Sequence, residues 1–391
     1  VERLYVHLGQ AYVFQNDWGQ AQEALEELLA YGKQHQQPAL ASMTLNRLAI
    51  LAVQQSFDKP QVRALLEEAR QMAEISHDQR ALAETEWNMA QIIGVMWEDP
   101  KRTLSHGEHA LELARAIQDK ELEARSLSSL GWIHLLGGDF EEAIRLLEAA
   151  LALYAALGNE QIVSRELSLP SFAIGAPLTQ PLTNRASEAW CWEMLAMAKL
   201  HQGQVQPSID HSRRALALAK EIKNVWAQVV STVTLTHGLL EAGAYEEALV
   251  LIQHTMALAQ TLEYRVIFYL VLIALGSAYQ ALQQWEEERN TLEEAVAVAK
   301  ALDLGPFLRM PTLTRLCMHY AVAGEWEAAY RYAVKAIALR RDYNAALIEL
   351  DFYFHSETEA LLRGGDERQA RAAVQRLGER LGSNRRFRIP Y

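Results

Sequence analysis

A unit of about 40 residues recurs along this chain of 391 residues, and this period limits the fold more than any other feature. Its clearest copy runs from Leu127 to Asn159, where two amphipathic helix patterns flank the glycine pair Gly137 and Gly138. One small residue of the first helix returns at intervals of 40 or 41 residues, with a single interval of 65. These marker residues are Gly9, Ala49, Ala90, Gly131, Ala196, Thr236, Gly276, Cys317 and Thr358. Such units bury their apolar faces by stacking on their neighbours, which predicts an all-α chain.

Two further positions keep the same spacing from the marker residue. Twelve residues after it stands a second-helix alanine, at Ala21, Ala143, Ala248, Ala329 and Ala370. Nine residues after it stands a ring that we expect to seal the turn between the helices, at Trp18, Phe140, Tyr245, Trp285 and Trp326. This pattern resembles the tetratricopeptide repeat. The resemblance implies a right-handed α-solenoid of about nine helix-turn-helix repeats, with pairs starting near residues 2, 39, 79, 120, 187, 225, 265, 306 and 345.

The interval of 65 residues contains an insertion that divides the array. Its centre holds Pro170, Pro177 and Pro181, which prevent a long helix, beside apolar residues such as Phe172. We therefore expect an ordered loop on the solenoid surface. The predicted organisation is repeats one to four over 1–158, the proline-rich insertion over 159–186, repeats five to nine with a capping repeat over 187–382, and a basic tail over 383–391. Because the chain starts at Val1, almost inside a helix pattern, we also expect it to be part of a longer protein.

Composition and charge exclude several classes of function. A net charge of −12 argues against general nucleic-acid binding, and we expect no salt-sensitive affinity for duplex DNA despite eight arginines in residues 363–391. No apolar run is long enough to span a membrane. Cys191 and Cys317 are too few for a disulfide framework, so we expect buried thiols and a cytoplasmic protein.

The sequence lacks the motifs of the common catalytic sites. There is no phosphate-binding glycine loop, no G-x-S-x-G elbow and no H-E-x-x-H zinc motif. His106 and His109 share a helix face, but nothing in the pattern completes a metal site, and we expect a solvated pair. The prediction is a protein that is not an enzyme and that needs no cofactor.

In tetratricopeptide arrays the first helices line a concave groove, and the resemblance places the groove positions six and three residues before the marker and one, four and five after it. Three tryptophans, Trp87, Trp132 and Trp190, then point inward near the middle of the array. They either contact a ligand or pack one helix on another. The candidate groove residues are Glu84, Trp87, Gln91, Arg125, Ser128, Trp132, Trp190, Glu193, His201 and His237.

The period and phrases such as LEAALALYAALGN are also similar to those of a narrower group, the sensor arrays of STAND signalling ATPases and MalT-like transcription activators. That resemblance implies a sensor region whose groove binds a protein, a peptide or a small polar inducer. It further implies an upstream nucleotide-binding module and a full-length protein that oligomerises. The alternatives are a constitutive scaffold for protein partners and an array that serves self-assembly. We expect the ligand site in the middle of the array, beside the insertion.

Overall fold

The computed structural model describes residues 18–55, 59–96, 100–158, 184–222, 224–260, 265–302, 304, 306–342 and 354–381. All regular structure in these ranges is α-helical, in 17 helices. They are α1 (Trp18–Gln34), α2 (Pro38–Gln55), α3 (Lys59–Ser76), α4 (Gln79–Met96), α5 (Pro100–Ala116), α6 (Lys120–Leu136), α7 (Phe140–Leu157), α8 (Asn184–His201), α9 (Val205–Glu221), α10 (Val225–Glu241), α11 (Tyr245–Gln260), α12 (Arg265–Ala281), α13 (Trp285–Ala301), α14 (Pro306–Val322), α15 (Trp326–Asp342), α16 (Phe354–Arg363) and α17 (Glu367–Leu381).

The helix starts confirm the predicted all-α repeat. First helices begin at residues 38, 79, 120, 184, 225, 265 and 306, each within three residues of its expected position. The starts expected near residues 2 and 345 lie outside the described residues, as do residues 159–183 of the insertion and the basic tail.

Turns between helices follow simple backbone chemistry. Gly203, Gly243 and Gly324 lie at the turn between the first and second helix of their repeats with φ of 73°, 79° and 76°, a conformation that glycine adopts without steric cost. Between repeats, Asp78 and Asp119 accept hydrogen bonds from free N–H groups at the starts of α4 and α6. Apart from the intervals after α7 and α15, each described helix is followed by the next after two to four residues.

The helices fall into two compact units that interleave in sequence. The first unit is Val1–Leu135, Glu141–Leu195 and Ala217–Ala227, and the second is Leu136–Phe140, Ala196–Leu216 and Gln228–Tyr391. In the first, Ala49, Val62, Leu66 and Met89 belong to one buried apolar cluster. In the second unit, another buried apolar cluster contains Tyr269, Leu272, Ala295 and Val298. Each cluster joins helices that are adjacent along the chain.

The marker residue is small because the second helix passes directly over it. A Cβ atom at Gly131 would lie 2.6 Å from Leu147 Cγ, and one at Gly276 would lie 2.8 Å from Leu292 Cδ2. Both leucines stand sixteen residues after their marker, so the two repeats pack in the same register. The twelve-residue spacing holds as well, since Ala143, Ala248 and Ala329 are fully buried.

The expectation for the ring nine residues after the marker is only partly right. In the second unit these rings contact the first helix of the following repeat. Phe140 stacks on His201 with centroids 5.1 Å apart, and Arg363 lies 3.9 Å from the Trp326 ring. Trp285 and Tyr245 remain 38% exposed. Because a ring at a helix start points across the repeat boundary, it links repeats rather than sealing the local turn.

Candidate functional site

The first helices of the first unit contain an unusual number of buried polar side chains. Every residue of α6 from Glu121 to Gly131 is buried, although a groove-lining helix would normally keep one polar face in solvent. The buried polar residues of this segment are Glu121, Glu123, Arg125, Ser126, Ser128 and Ser129. Helix α4 adds Thr85, Glu86, Asn88 and Gln91. Three of the candidate groove residues, Gln91, Arg125 and Ser128, therefore belong to this set of buried polar residues, called the polar layer below.

Trp87 is the anchor of this layer. Its indole is 1% exposed, and Nε1 donates a hydrogen bond of 2.7 Å to Ser129 Oγ on α6. The guanidinium carbon of Arg125 lies 3.9 Å from the Trp87 ring centroid, in a cation–π contact. Arg125 is 3% exposed, and its Nη1 is 3.9 Å from Glu121 Oε1. Trp87 thus packs helix on helix and orients Arg125, so it is a supporting residue and not an open ligand contact.

Trp132 and Trp190 form an aromatic pair in the same unit. Their ring centroids are 6.3 Å apart with planes at 61°, an edge-to-face arrangement. Both side chains are only partly buried. Of the three inward tryptophans, these two present indole surface that a ligand can reach.

Cys191 follows Trp190 on α8, and Ser128 lies one helical turn before Trp132 on α6. The thiol of Cys191 donates a hydrogen bond of 3.3 Å to Ser128 Oγ, and both residues are fully buried. Burial raises the pKa of Cys191 to about 12, and the bond to Ser128 offsets only part of that rise. Cys191 is therefore a neutral packing residue. The other thiol, Cys317, is buried too, as expected.

The remaining candidates occupy different surroundings. Glu84 is partly buried, with its carboxylate 3.4 Å from Arg80 Nε, and Glu193 is 2% exposed. Gln91 is 3% exposed, and in the part of the chain that the structure describes neither its amide oxygen nor its amide nitrogen has a hydrogen-bond partner. His201 and His237 belong to the second unit, where His201 is buried against Phe140 and His237 is partly exposed.

Sequence reasoning missed a buried carboxylate cluster and misplaced one histidine. Glu86, 1% exposed on α4, lies 3.0 Å from Arg70 Nε, 2.5 Å from His106 Nδ1 and 3.5 Å from His109 Nδ1. The expectation of a solvated histidine pair is wrong for His106, which is 7% exposed and turned onto this carboxylate. The signal was a glutamate at a helical position where the repeat expects an apolar residue. Its partners lie on two other helices, beyond the reach of local patterns.

Electrostatics inside this cluster favour the ionised carboxylate. Burial raises the pKa of Glu86, but the hydrogen bond from His106 and the charges of His106, Arg70 and His109 together lower it below its ordinary value. Within the described ranges no group of three histidine, cysteine or acidic side chains is arranged to hold a metal ion. The cluster is therefore an internal salt bridge between α3, α4 and α5.

Comparison with known proteins supports the repeat fold. The tetratricopeptide repeat family model matches residues 81–156, from α4 to α7. No curated protein matches the chain in sequence. A Rap protein in complex with competence and sporulation factor superposes with a TM-score of 0.62, at 14% identity and with 97% of both chains covered. The fold is a tetratricopeptide repeat array.

Two other solved tetratricopeptide proteins resemble the chain. The apo quorum sensor NprR from B. thuringiensis has a TM-score of 0.60, at 16% identity and with 87% of each chain covered. A signal transduction ATPase with numerous domains and a tetratricopeptide repeat sensor, from Pyrococcus horikoshii, has a TM-score of 0.54 at 16% identity. The superposition covers 88% of this chain and 49% of the ATPase, so this chain spans about half the length of that protein. No described helix is long and apolar enough to cross a membrane.

Proposed function

We propose that this tetratricopeptide array is the ligand-recognising sensor region of a larger bacterial signal-transduction protein of the STAND or MalT-like kind. The observation that carries the proposal is the Trp132–Trp190 pair, whose partly buried rings lie 6.3 Å apart on two helices, α6 and α8, that also bury polar residues. Aromatic rings supply contact area at a small cost in side-chain entropy, and polar groups beside them fix the orientation of a ligand.

Contacts between the helices that carry the pair favour a rigid site. Trp87 is held by Ser129, Arg125 lies over Trp87, and Ser128 accepts the hydrogen bond of Cys191. These contacts connect α4, α6 and α8, the helices that carry the site. A binding surface on packed helices loses little conformational entropy when its ligand arrives, which favours affinity.

The resemblances support a sensor over a constitutive scaffold. Of the solved arrays described above, one is named a quorum sensor, one is complexed with competence and sporulation factor, and one is named a sensor within a STAND ATPase. Each is a tetratricopeptide array of similar extent, although identities of 14–16% show the fold alone. By analogy, the inducer of this array is a protein, a peptide or a small polar molecule bound in the groove, and the response passes to another domain of the full-length protein.

The proposal is tested by ligand-induced thermal stabilisation. The purified chain is screened against short peptides and oligosaccharides, and a compound that binds the folded state at 100 times its Kd stabilises it by about 2.7 kcal/mol. The double variant Trp132→Ala with Trp190→Ala should lose the shift while keeping its helix content. Trp285→Ala, which removes a partly exposed ring of the second unit, should keep it.

Two outcomes would contradict the proposal. If no compound stabilises the chain, or if hits keep their full effect in the double variant, the indole pair is not the site. Should the alanine variant unfold, the pair Trp132→Leu with Trp190→Leu retains apolar volume and allows the same comparison. A chain that binds only folded protein partners, with no ligand-induced shift, would favour the scaffold alternative.

A further inference from the structure

Gln91 is a candidate groove residue whose side-chain amide is buried with neither polar atom hydrogen-bonded in the described ranges. The side chain is 3% exposed. Buried polar groups in native proteins are almost always hydrogen-bonded, because an unmade bond costs much of the energy of desolvating the group. A buried amide without partners therefore indicates either an ordered water or a ligand group that the structure does not contain.

The repeat register places Gln91 on the same face as the indole pair. Gln91 and Trp132 each follow their marker residue by one, so they occupy equivalent positions on α4 and α6. Gln91 also lies one helical turn after Trp87, whose ring carries Arg125 at 3.9 Å. Arg125 in turn stands seven residues before Trp132, two turns away on one face of α6. Helical spacing thus places Gln91 on the same side of α4 as Trp87, and Arg125, which contacts Trp87, on the same side of α6 as Trp132.

The chemistry of the amide restricts what it would bind. A glutamine side chain presents an N–H donor and a carbonyl acceptor side by side in one plane. A carboxylate would satisfy the donor and repel the acceptor, and an ammonium group would do the reverse. A second amide satisfies both at once, because its carbonyl accepts from Nε2–H while its N–H donates to Oε1.

We infer that Gln91 determines the specificity of the mid-array site for a ligand with a neutral amide next to an apolar or aromatic group, the amide pairing with Gln91 and the apolar group contacting Trp132 and Trp190. This inference rests on the proposed function and narrows its ligand class. The amide comes from a peptide backbone or from a primary carboxamide, which present the same donor and acceptor. Arg125, already held by Trp87 and Glu121, frames the site and is not its recognition element.

The first test uses the chain without a ligand. Replacing Gln91 with methionine keeps the volume and removes both unmet polar atoms, so the melting temperature should rise by about 1–3 °C. The matched variant Gln280→Met in the second unit removes an amide that donates a 2.7 Å hydrogen bond to Glu288 Oε1, and its melting temperature should fall. If Gln91→Met also lowers the melting temperature, the amide already has a partner, such as an ordered water, and the inference is overturned.

The second test uses defined probes and the side-chain NH2 signals of glutamine in NMR spectra of the 15N-labelled chain. The Gln91 signal is assigned by its loss in Gln91→Met. It should shift on titration with N-acetyl-phenylalanine N-methylamide, which mimics a peptide backbone, or with 3-phenylpropanamide, a primary carboxamide. The probe that binds more tightly shows whether the site prefers the amide of a peptide backbone or a primary carboxamide.

The control probe is methyl 3-phenylpropanoate, which has an ester in place of the carboxamide of 3-phenylpropanamide and contains no amide. Its affinity should be at least about tenfold weaker than that of 3-phenylpropanamide, since a site that bonds an N–H rejects an analogue without it. Equal affinities, or a response to sugars but not to amides, would refute the role of Gln91. A response lost in the Trp132 and Trp190 variant but unchanged in Gln91→Met would leave the proposed site intact and refute only this inference.

Discussion

Helices α6 and α12 are first helices of equivalent repeats, yet the side chains that they bury differ in polarity. Helix α6 buries Glu121, Arg125 and three serines, whereas α12 buries a nearly continuous apolar surface that includes Leu272 and Ile273. Both helices keep the glycine marker and the leucine that covers it. The repeat geometry therefore requires a small residue at the marker position, but it allows the other buried residues to be either polar or apolar. Buried polar groups cost desolvation energy and are tolerated where they bond one another, so the polar residues that α6 buries depend on their contacts with each other and with neighbouring helices.

The contrast extends to the buried carboxylates. Glu86 in the first unit and Glu288 in the second are each 1% exposed. Glu86 faces a permanent cation, Arg70, as well as two histidines, whereas Glu288 is bonded by His319 at 2.8 Å and Gln280 at 2.7 Å. The first unit thus holds its carboxylate by charge and the second mainly by hydrogen bonds. Three predictions test this comparison, beginning with the largest effect.

Trp87→Ala should destabilise the chain most. Removing a fully buried tryptophan costs about 3–5 kcal/mol, and here it also leaves Arg125 and Ser129 without contacts they now make. Trp132→Ala, on the first helix of the next repeat and partly exposed, should cost less than about half as much. Urea unfolding followed by circular dichroism measures both. Equal losses would show that the two rings share one role and that the distinction between supporting and contact residues is wrong.

Glu86→Gln should have the next largest effect, a decrease of about 2–3 kcal/mol in the free energy of unfolding at pH 7. The reason is that breaking a buried ion pair leaves its cations without the charge they face. The pKa of Glu86 is lowered in the folded chain, so its contribution to stability is present above the unfolded value near 4.5 and is lost as the pH falls through the folded value. Wild type and variant should therefore converge in acid. The measurement is the urea midpoint of both proteins from pH 7 to pH 3.

Glu288→Gln is the control for that experiment. It removes a buried carboxylate that has no arginine partner among its described ion pairs, and it keeps an oxygen that can still accept the hydrogen bond of Gln280. We expect a smaller loss at pH 7. A loss as large as that of Glu86→Gln would contradict the view that charge, and not only hydrogen bonding, holds the first unit together.

The sequence predicts the repeat well and the site only in part, for a physical reason. Helix starts depend on local signals and on a period, both of which can be read along one chain. Whether an inward position is open depends on the rotation of the neighbouring helix. Three residues before the marker, Asn46, Trp87, Ser128 and Glu193 are 5%, 1%, 0% and 2% exposed, since that position faces the adjacent first helix. Trp132, one residue after its marker, keeps part of its ring exposed.

Gly131→Ala and Gly276→Ala compare the two units at the one position they share, with the smallest expected effects. Alanine favours a helix over glycine by about 1 kcal/mol, so each variant gains that much before packing is counted. At Gly131 the new Cβ would meet Leu147 Cγ at 2.6 Å and the backbone oxygen of Ala143 at 3.2 Å, whereas at Gly276 all close atoms belong to the side chain of Leu292. A leucine side chain can rotate away and a helix backbone cannot, so Gly131→Ala should lose about 1–2 kcal/mol and Gly276→Ala should lie near zero. The measurement is the urea midpoint of each variant, provided that the unfolding free energy depends on urea concentration with the same slope in both. If Gly276→Ala loses as much, the second helix approaches equally closely in both units, and their difference lies in polarity alone.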